Sequence, residues 1–283
     1  MSVSLSLPRG RVLSTDLPAC VIGILNATPD SFWEGSRVTG VDAGVDRALE
    51  MVAQGADCID IGGESSRPGS AYVSAEEELD RVIPLVEGIR RKSDVPISID
   101  TRKARVMEFA FEAGADILND ISALRDDPAM PGLAARLGLP VILMHMRGVP
   151  LTMQDNPTYA DVVGEVRAWL LERAAFAVSA GVRADRIVLD PGFGFGKRHE
   201  DNCSLVAGLA EIARGGYPVL MALSRKKSIG IMTGRDAESR LAGTLAANQY
   251  AIMSGATYVR VHDVAETRDM LKVVQEIRAR GIH

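Results

Sequence analysis

Short apolar runs in this chain end repeatedly in residues that can do chemistry. Asn26 closes Cys20–Asn26, Asp100 closes Pro96–Asp100, Asn119 and Asp120 follow Ile117 and Leu118, and His145 and Asp190 end the next two runs. Ser224, Arg225 and Lys226 follow Val219–Leu223, and Arg260 and His262 end the last run, Tyr258–His262. Arg260 and His262 are i and i+2, so on a strand they face the same way. With Val259 and Val261 turned to helices, the basic pair points inward as two cationic donors, which suit a phosphate or pyrophosphate group. A single Asp or Asn at a strand end is equally a turn-former or a cap. Turn-formers would also mark the strand starts, yet those carry Pro96, Pro140 and Pro218.

Two glycine-rich stretches follow apolar runs, Gly62-Gly63-Glu64-Ser65-Ser66-Arg67-Pro68-Gly69 and Pro191-Gly192-Phe193-Gly194-Phe195-Gly196-Lys197. Glycines let backbone approach a ligand or let a loop close over it. Phe193 and Phe195 either stack on a flat substrate or pack beneath their loop. The second stretch lacks a Walker ending, so as a nucleotide motif it is weak. The four histidines show no zinc spacing, and no EF-hand is present. A Mg2+ held by substrate phosphates and one or two protein oxygens would leave so sparse a signature. No GxSxG or Cys-His pairing points to a covalent nucleophile. These residues together point to an enzyme that binds an anionic phosphorylated ligand beside a planar hydrogen-bonding group.

The elements that must position them can be counted. Strand candidates are Cys20–Asn26, Cys58–Ile61, Pro96–Asp100, Ile117–Asn119, Val141–His145, Ile187–Asp190, Val219–Leu223 and Tyr258–His262, each apolar enough for a parallel strand buried on both faces. Amphipathic runs separate them. One is opened by Ser74 with Glu77 as a capping box and contains Pro84 as a potential kink; another runs from Ala160 to Ala180, a third from Glu238 to Ser254. Gly55, Gly114 and Gly255 each end a helical pattern just before a strand, the signature of a tight αβ turn. Eight βα units of ~35 residues predict an α/β fold, a single (β/α)8 TIM barrel whose strand C-termini form the catalytic face. A doubly wound sheet is the rival, without its glycine fingerprint. Residues 1–19 read as an N-terminal segment and 20–283 as the barrel.

Composition sets the outer limits. The chain has 283 residues, 47% of them hydrophobic, and a net charge of −5 with no Lys/Arg run, which argues against nucleic acid or an anionic membrane as partner. No stretch reaches the ~20 apolar residues of a membrane span, and the N-terminus has no signal-like apolar core. Three cysteines without CxxC read as reduced thiols in a cytoplasmic protein.

In order along the chain, these motifs resemble the dihydropteroate synthase family of pterin-binding enzymes. The matching stretches begin with Gly23–Phe32, Asp60–Gly69, Ile99–Thr101 and Leu118–Ile121, and continue with Leu143–Met146, Leu189–Lys197, Ser224–Lys226 and Val259–Val264. The resemblance implies a (β/α)8 barrel that condenses 6-hydroxymethyl-7,8-dihydropterin diphosphate with 4-aminobenzoate, giving 7,8-dihydropteroate and pyrophosphate in folate biosynthesis. It also implies Mg2+, a homodimer and a sulfonamide target. Carried over by position, Asp100, Asn119, Asp190 and Lys226 would hold the pterin, with Met144 and Ser224 also at the substrate. Asn26 would ligate Mg2+, and Arg260 and His262 would bind the diphosphate. Ser66, Arg67, Pro68 and Phe195 would line the aminobenzoate side, and Phe32 and Glu34 would lie on the closing first loop.

The chain departs from the family's usual pattern at several positions. Trp33-Glu34 stands where Ser-Asp is common, so the carboxylate gains a methylene. Ser66 stands for Thr, Ala222 for Gly, and Lys227 for a Ser that can meet the aminobenzoate carboxylate; Lys227 either pairs with that carboxylate or faces solvent. Other readings are a catalytically silent or diverged pterin-binding paralogue and a methyltetrahydrofolate-dependent methyltransferase domain. The second would need neither the Ser66–Gly69 stretch nor the Arg260/His262 pair.

Overall fold

The computed structural model describes residues 3–27, 37–67 and 69–281. A hairpin comes first, β1 (Val3–Ser6) antiparallel to β2 (Val12–Thr15). Eight strands follow: β3 (Cys20–Asn26), β4 (Cys58–Gly62), β5 (Ile97–Asp100), β6 (Ile117–Asp120), β7 (Val141–Met144), β8 (Ile187–Asp190), β9 (Leu220–Met221) and β10 (Tyr258–Val261). They form one parallel sheet in the order β8-β7-β6-β5-β4-β3-β10-β9. A bridge between Leu189 and Val219 joins its two ends, so the sheet closes into the expected (β/α)8 barrel.

Helices wrap the outside, with the turns the sequence predicts. Gly55, Gly114 and Gly255 have φ of +98°, +119° and +108°, values open to glycine, and each turns a helix directly into a strand. Ser74 accepts from the Glu77 amide to cap Ala75–Arg90. The capping box is only half formed, because the Glu77 side chain pairs with Arg81 instead. Pro84 sits inside that helix without ending it. The helix Met130–Leu137 has no counterpart in the sequence reading, because Pro131 and Gly132 interrupt the pattern. Proline in a first turn sacrifices only an amide with no helical partner.

Strand parity sorts the interior. Outward residues such as Val21, Ile59, Ile99, Leu143, Leu189 and Val259 pack under the helices. Inward residues near the strand starts, among them Cys20, Ile22, Cys58, Ile142, Val188 and Tyr258, form a second core. Leu5, Leu7 and Leu13 of the hairpin close this core from below. The N-terminal segment is therefore the barrel's plug, tied down where Arg11 and Arg90 both pair with Asp116 at 2.5 and 2.8 Å. Leu13→Ala should destabilise the protein by about 2–5 kcal/mol, as large-to-small core changes do. Urea unfolding would read this, with activity per folded molecule unchanged. A loss below about 1 kcal/mol would show that the plug carries little of the core.

Candidate active site

One step further along each strand, the inward position changes character. Asn26, Asp60, Asp100, Asn119, Met144 and Asp190 share the parity of the apolar interior below them, as do Ser224, Arg260 and His262. The barrel mouth is thus a polar layer laid over an apolar one. Asp120 and His145 have the opposite parity and leave the mouth. Asp120 is buried and accepts from Ser122 and from the Leu124 amide, a turn-former's role. His145 is buried against Lys197 and Trp169, where desolvation holds its pKa down at about 2 and the ring neutral.

Arg260 is the hub of the layer. Its Nε donates to Asp60 Oδ2 at 2.5 Å and its Nη2 to Asp100 Oδ2 at 3.1 Å, while Asn119 Nδ2 donates to Asp60 at 3.2 Å. Asp60 is fully buried, and reading strand ends alone misses it, since two residues of β4 follow it. Parity is the signal that finds it: Asp60 alternates with Cys58 and Gly62. Asp100 is pushed up to about 7 by burial, against the pull of Arg260.

The inward pair on β10 differs from two free cations. Arg260 is already matched by two carboxylates. His262 receives Ser224 at 2.9 Å on Nδ1, and burial with Arg260 nearby lowers its pKa to about 4. The imidazole is neutral near neutral pH, so the site holds one cation there, plus a ring that donates from Nε2 when the Ser224 hydroxyl donates to Nδ1.

Lys226 follows β9. Its ammonium donates to the Phe193 carbonyl at 2.5 Å and lies 4.6 Å from the Phe195 ring centre. Burial lowers its pKa to about 8, opposed by Asp190. Asp190 is buried, is pushed up by desolvation, and accepts from the Gly192 amide at 2.7 Å. The site is fully charged only while Asp100 has lost its proton and Lys226 keeps its own. Turnover per KM of a substrate bound by both should rise near pH ~7 and fall near pH ~8. A profile flat from about pH 6 to 9 would contradict these roles.

The two phenylalanines divide. Phe193 is buried in the core, whereas Phe195 is half-buried and packs on Ile121, Met144, Met146 and Met153, which make an apolar wall beside the polar layer. Ser66 lines a small cleft with Glu64, Asp100, Thr101 and Arg102 that meets the apolar wall at Ile121. That stretch is held by Glu64, which accepts from Arg102 at 2.6 Å and Lys103 at 2.5 Å; Lys103 also reaches Glu78 at 2.6 Å. Sequence reasoning missed this brace, whose members are scattered over three elements. Arg67 and Lys227 are exposed. Phe32, Trp33, Glu34 and Pro68 lie outside the described residues.

Among the described residues, no group of three or more His, Cys, Asp or Glu could hold a metal ion. Asn26 offers a different donor, a half-buried amide oxygen at the mouth whose side chain bonds no described residue. A single hard oxygen beside an anionic substrate fits Mg2+, which keeps waters and takes phosphate oxygens as ligands.

The family model of pterin binding enzymes matches residues 22–262. The dihydropteroate synthase of Escherichia coli strain K12 is 47% identical over 255 residues, 90% of this chain and 90% of that one. The Xanthomonas albilineans dihydropteroate synthase solved with 4-aminobenzoic acid superposes with a TM-score of 0.92 at 47% identity, covering 99% of this chain and 100% of that chain. The same enzyme in complex with 7,8-dihydropteroate superposes at 0.88 with 44% identity and coverage of 99% and 100%. A family model that spans residues 22–262, 47% identity over 90% of the chain and a shared barrel mean that this chain belongs to the dihydropteroate synthase family of pterin-binding enzymes.

Proposed function

We propose that the barrel mouth joins 6-hydroxymethyl-7,8-dihydropterin diphosphate to 4-aminobenzoate, yielding 7,8-dihydropteroate and pyrophosphate, and that it does so by an SN1-like displacement. The observation that carries the reading is the inward polar layer of Asp100, Asn119, Asp190 and Lys226, set beside the apolar wall of Met144 and Phe195. A pterin presents amino and ring N–H donors next to a carbonyl acceptor, and two carboxylates, an amide and an ammonium complement that edge. The flat ring lies against the wall, which excludes water from one face.

The C–O bond to the diphosphate breaks with its electron pair going to the leaving oxygen. The electron-rich ring carries the resulting positive charge. Asp60, Asp100 and Asp190 supply the negative field that favours it, and the Arg260 guanidinium and the His262 Nε2–H favour the departing charge. The arylamine nitrogen then forms the C–N bond to the exocyclic carbon of that cation and loses one proton to solvent water. An arylamine is neutral and nucleophilic near neutral pH, so no strong base is required. Ser66, Arg67 and Phe195 receive the aminobenzoate, with Arg67 available to its carboxylate. Asn26 would hold Mg2+, which when bound supplies further neutralisation of the diphosphate. Phe32, Glu34 and Pro68 complete the proposed site.

A secondary deuterium isotope effect on the exocyclic CH2, well above unity, is the expected result for bond breaking ahead of attack. A value near unity would mean concerted displacement.

We further place the protein in the cytoplasm as a homodimer. Among the described residues no helix is long and apolar enough to cross a membrane. Cys20, Cys58 and Cys203 are free thiols, as a reducing compartment requires. Exposed Ile231, Met232, Tyr250, Met253, Val273 and Ile277 on the last three helices supply an apolar face for a second copy. Sulfonamides shaped like 4-aminobenzoate would compete for its subsite.

A further inference from the structure

The stretch after β8 is a fixed template rather than a closing loop. Gly192 and Gly196 have φ of +67° and +58°, and an added Cβ would lie 1.9 Å from the His145 carbonyl oxygen and 2.5 Å from that of Arg147. Side chains from elsewhere hold the peptide groups between them. The Gly194 amide donates to Asn202 at 2.7 Å, and its carbonyl accepts from Gln154 at 2.8 Å. Tyr159 donates its hydroxyl to the Gly196 carbonyl at 2.7 Å.

Lys197 sits at the centre. It is buried, and its ammonium has three good acceptors: the Gly192 carbonyl at 2.9 Å, the Phe195 carbonyl at 3.0 Å and His145 Nδ1 at 2.9 Å. These use all three of its N–H groups. Burial lowers the Lys197 pKa to about 7, and while its ammonium donates to Nδ1 the neutral His145 carries its proton on Nε2, which gives this histidine a structural role away from the mouth. Because Lys226 donates to the Phe193 carbonyl of the same stretch, the template sets both the Phe195 ring and the Lys226 ammonium.

We propose that Lys197 is a positioning residue for the reaction, its buried ammonium serving as the internal anchor of the Gly192–Gly196 template that presents Phe195 to the aminobenzoate. The proposal rests on the reading of the site given above. Pterin recognition by Asp100 and Asn119 comes from β5 and β6, whereas Asp190 and Lys226 each touch the template through one bond, to the Gly192 amide and the Phe193 carbonyl. Phe195 is carried by the template itself, so loss of the anchor falls more heavily on the aminobenzoate than on the pterin.

The test is steady-state kinetics of the full chain, wild type against Lys197→Met, varying each substrate in turn. The expected result is a rise of about tenfold or more in KM for 4-aminobenzoate with a clearly smaller rise in the KM for dihydropterin diphosphate, since small misplacements near the chemistry are costly. Equal changes in both constants, or none beyond about twofold, would overturn the proposal. Tyr159→Phe removes one donor to the same template at its edge and should give the same split at about threefold. If Lys197→Met does not fold, the Tyr159→Phe result decides, and an unchanged aminobenzoate KM overturns the proposal. Wild-type protein that releases no pyrophosphate with either substrate varied would overturn the reading of the site, and this proposal with it.

Discussion

Asp60→Asn is expected to lower kcat/KM by about a hundredfold to a few thousandfold while leaving the barrel folded. Asp60 lies in the middle of β4, is fully buried, and holds both the Arg260 guanidinium and the Asn119 amide. Removing one partner of a buried ion pair costs about 3–5 kcal/mol, because the other charge stays desolvated. Each ~1.4 kcal/mol is a factor of ten in rate or affinity. Asparagine keeps the volume, so the loss is electrostatic. Arg260 retains Asp100 and so is not released altogether. Steady-state assays beside a circular dichroism spectrum would read the effect. Activity within about threefold of wild type would show that Asp100 alone suffices to hold the guanidinium.

Lys226→Ala is the second large effect. The ammonium lies in the Coulomb field of Asp190 and beneath the Phe195 ring, and truncating it leaves a buried carboxylate without its nearest cation. Truncations of this kind cost about 2–5 kcal/mol. Pterin affinity should therefore fall by about thirtyfold to a few thousandfold. The backbone is expected to survive, because β9 and the helix that follows do not depend on the Lys226 side chain for their cores. Calorimetry with the dihydropterin, together with turnover, would check it. Unchanged affinity and turnover would remove Lys226 from the pterin site.

Much of this architecture is legible in the amino-acid sequence. The eight apolar runs correspond to the eight barrel strands, because a strand buried on both faces has to be almost wholly apolar. The three glycine turns were readable for a similarly local reason. Residues 3–15 were less so. The plug's leucines are spaced among arginines, serines and Pro8, and their burial depends on the barrel floor they cover. The short helices after β6 and β8 also lack a clear period.

Polar residues at strand ends come together in the fold wherever they have the inward parity. Asp100, Asn119, Asp190 and Arg260 do lie in one layer. Strand ends without parity mislead in both directions, admitting His145 and omitting Asp60. Charge state was the least legible property. Arg260 and His262 read as a cationic pair, yet the folded site sets two carboxylates against the arginine and desolvates the histidine to neutrality. Those effects come from β4, β5 and β9, far away in sequence. A net charge of −5 likewise says nothing about a single guanidinium held between Asp60 and Asp100.

The most direct measurement is pyrophosphate release by the purified full-length protein, given dihydropterin diphosphate, 4-aminobenzoate and Mg2+, with dihydropteroate quantified in the same reaction. The geometry of the mouth predicts that the two products form in equal amounts and that omission of either substrate abolishes dihydropteroate. Intact pterin binding without formation of dihydropteroate would contradict the account and identify a pterin-binding barrel that performs no condensation.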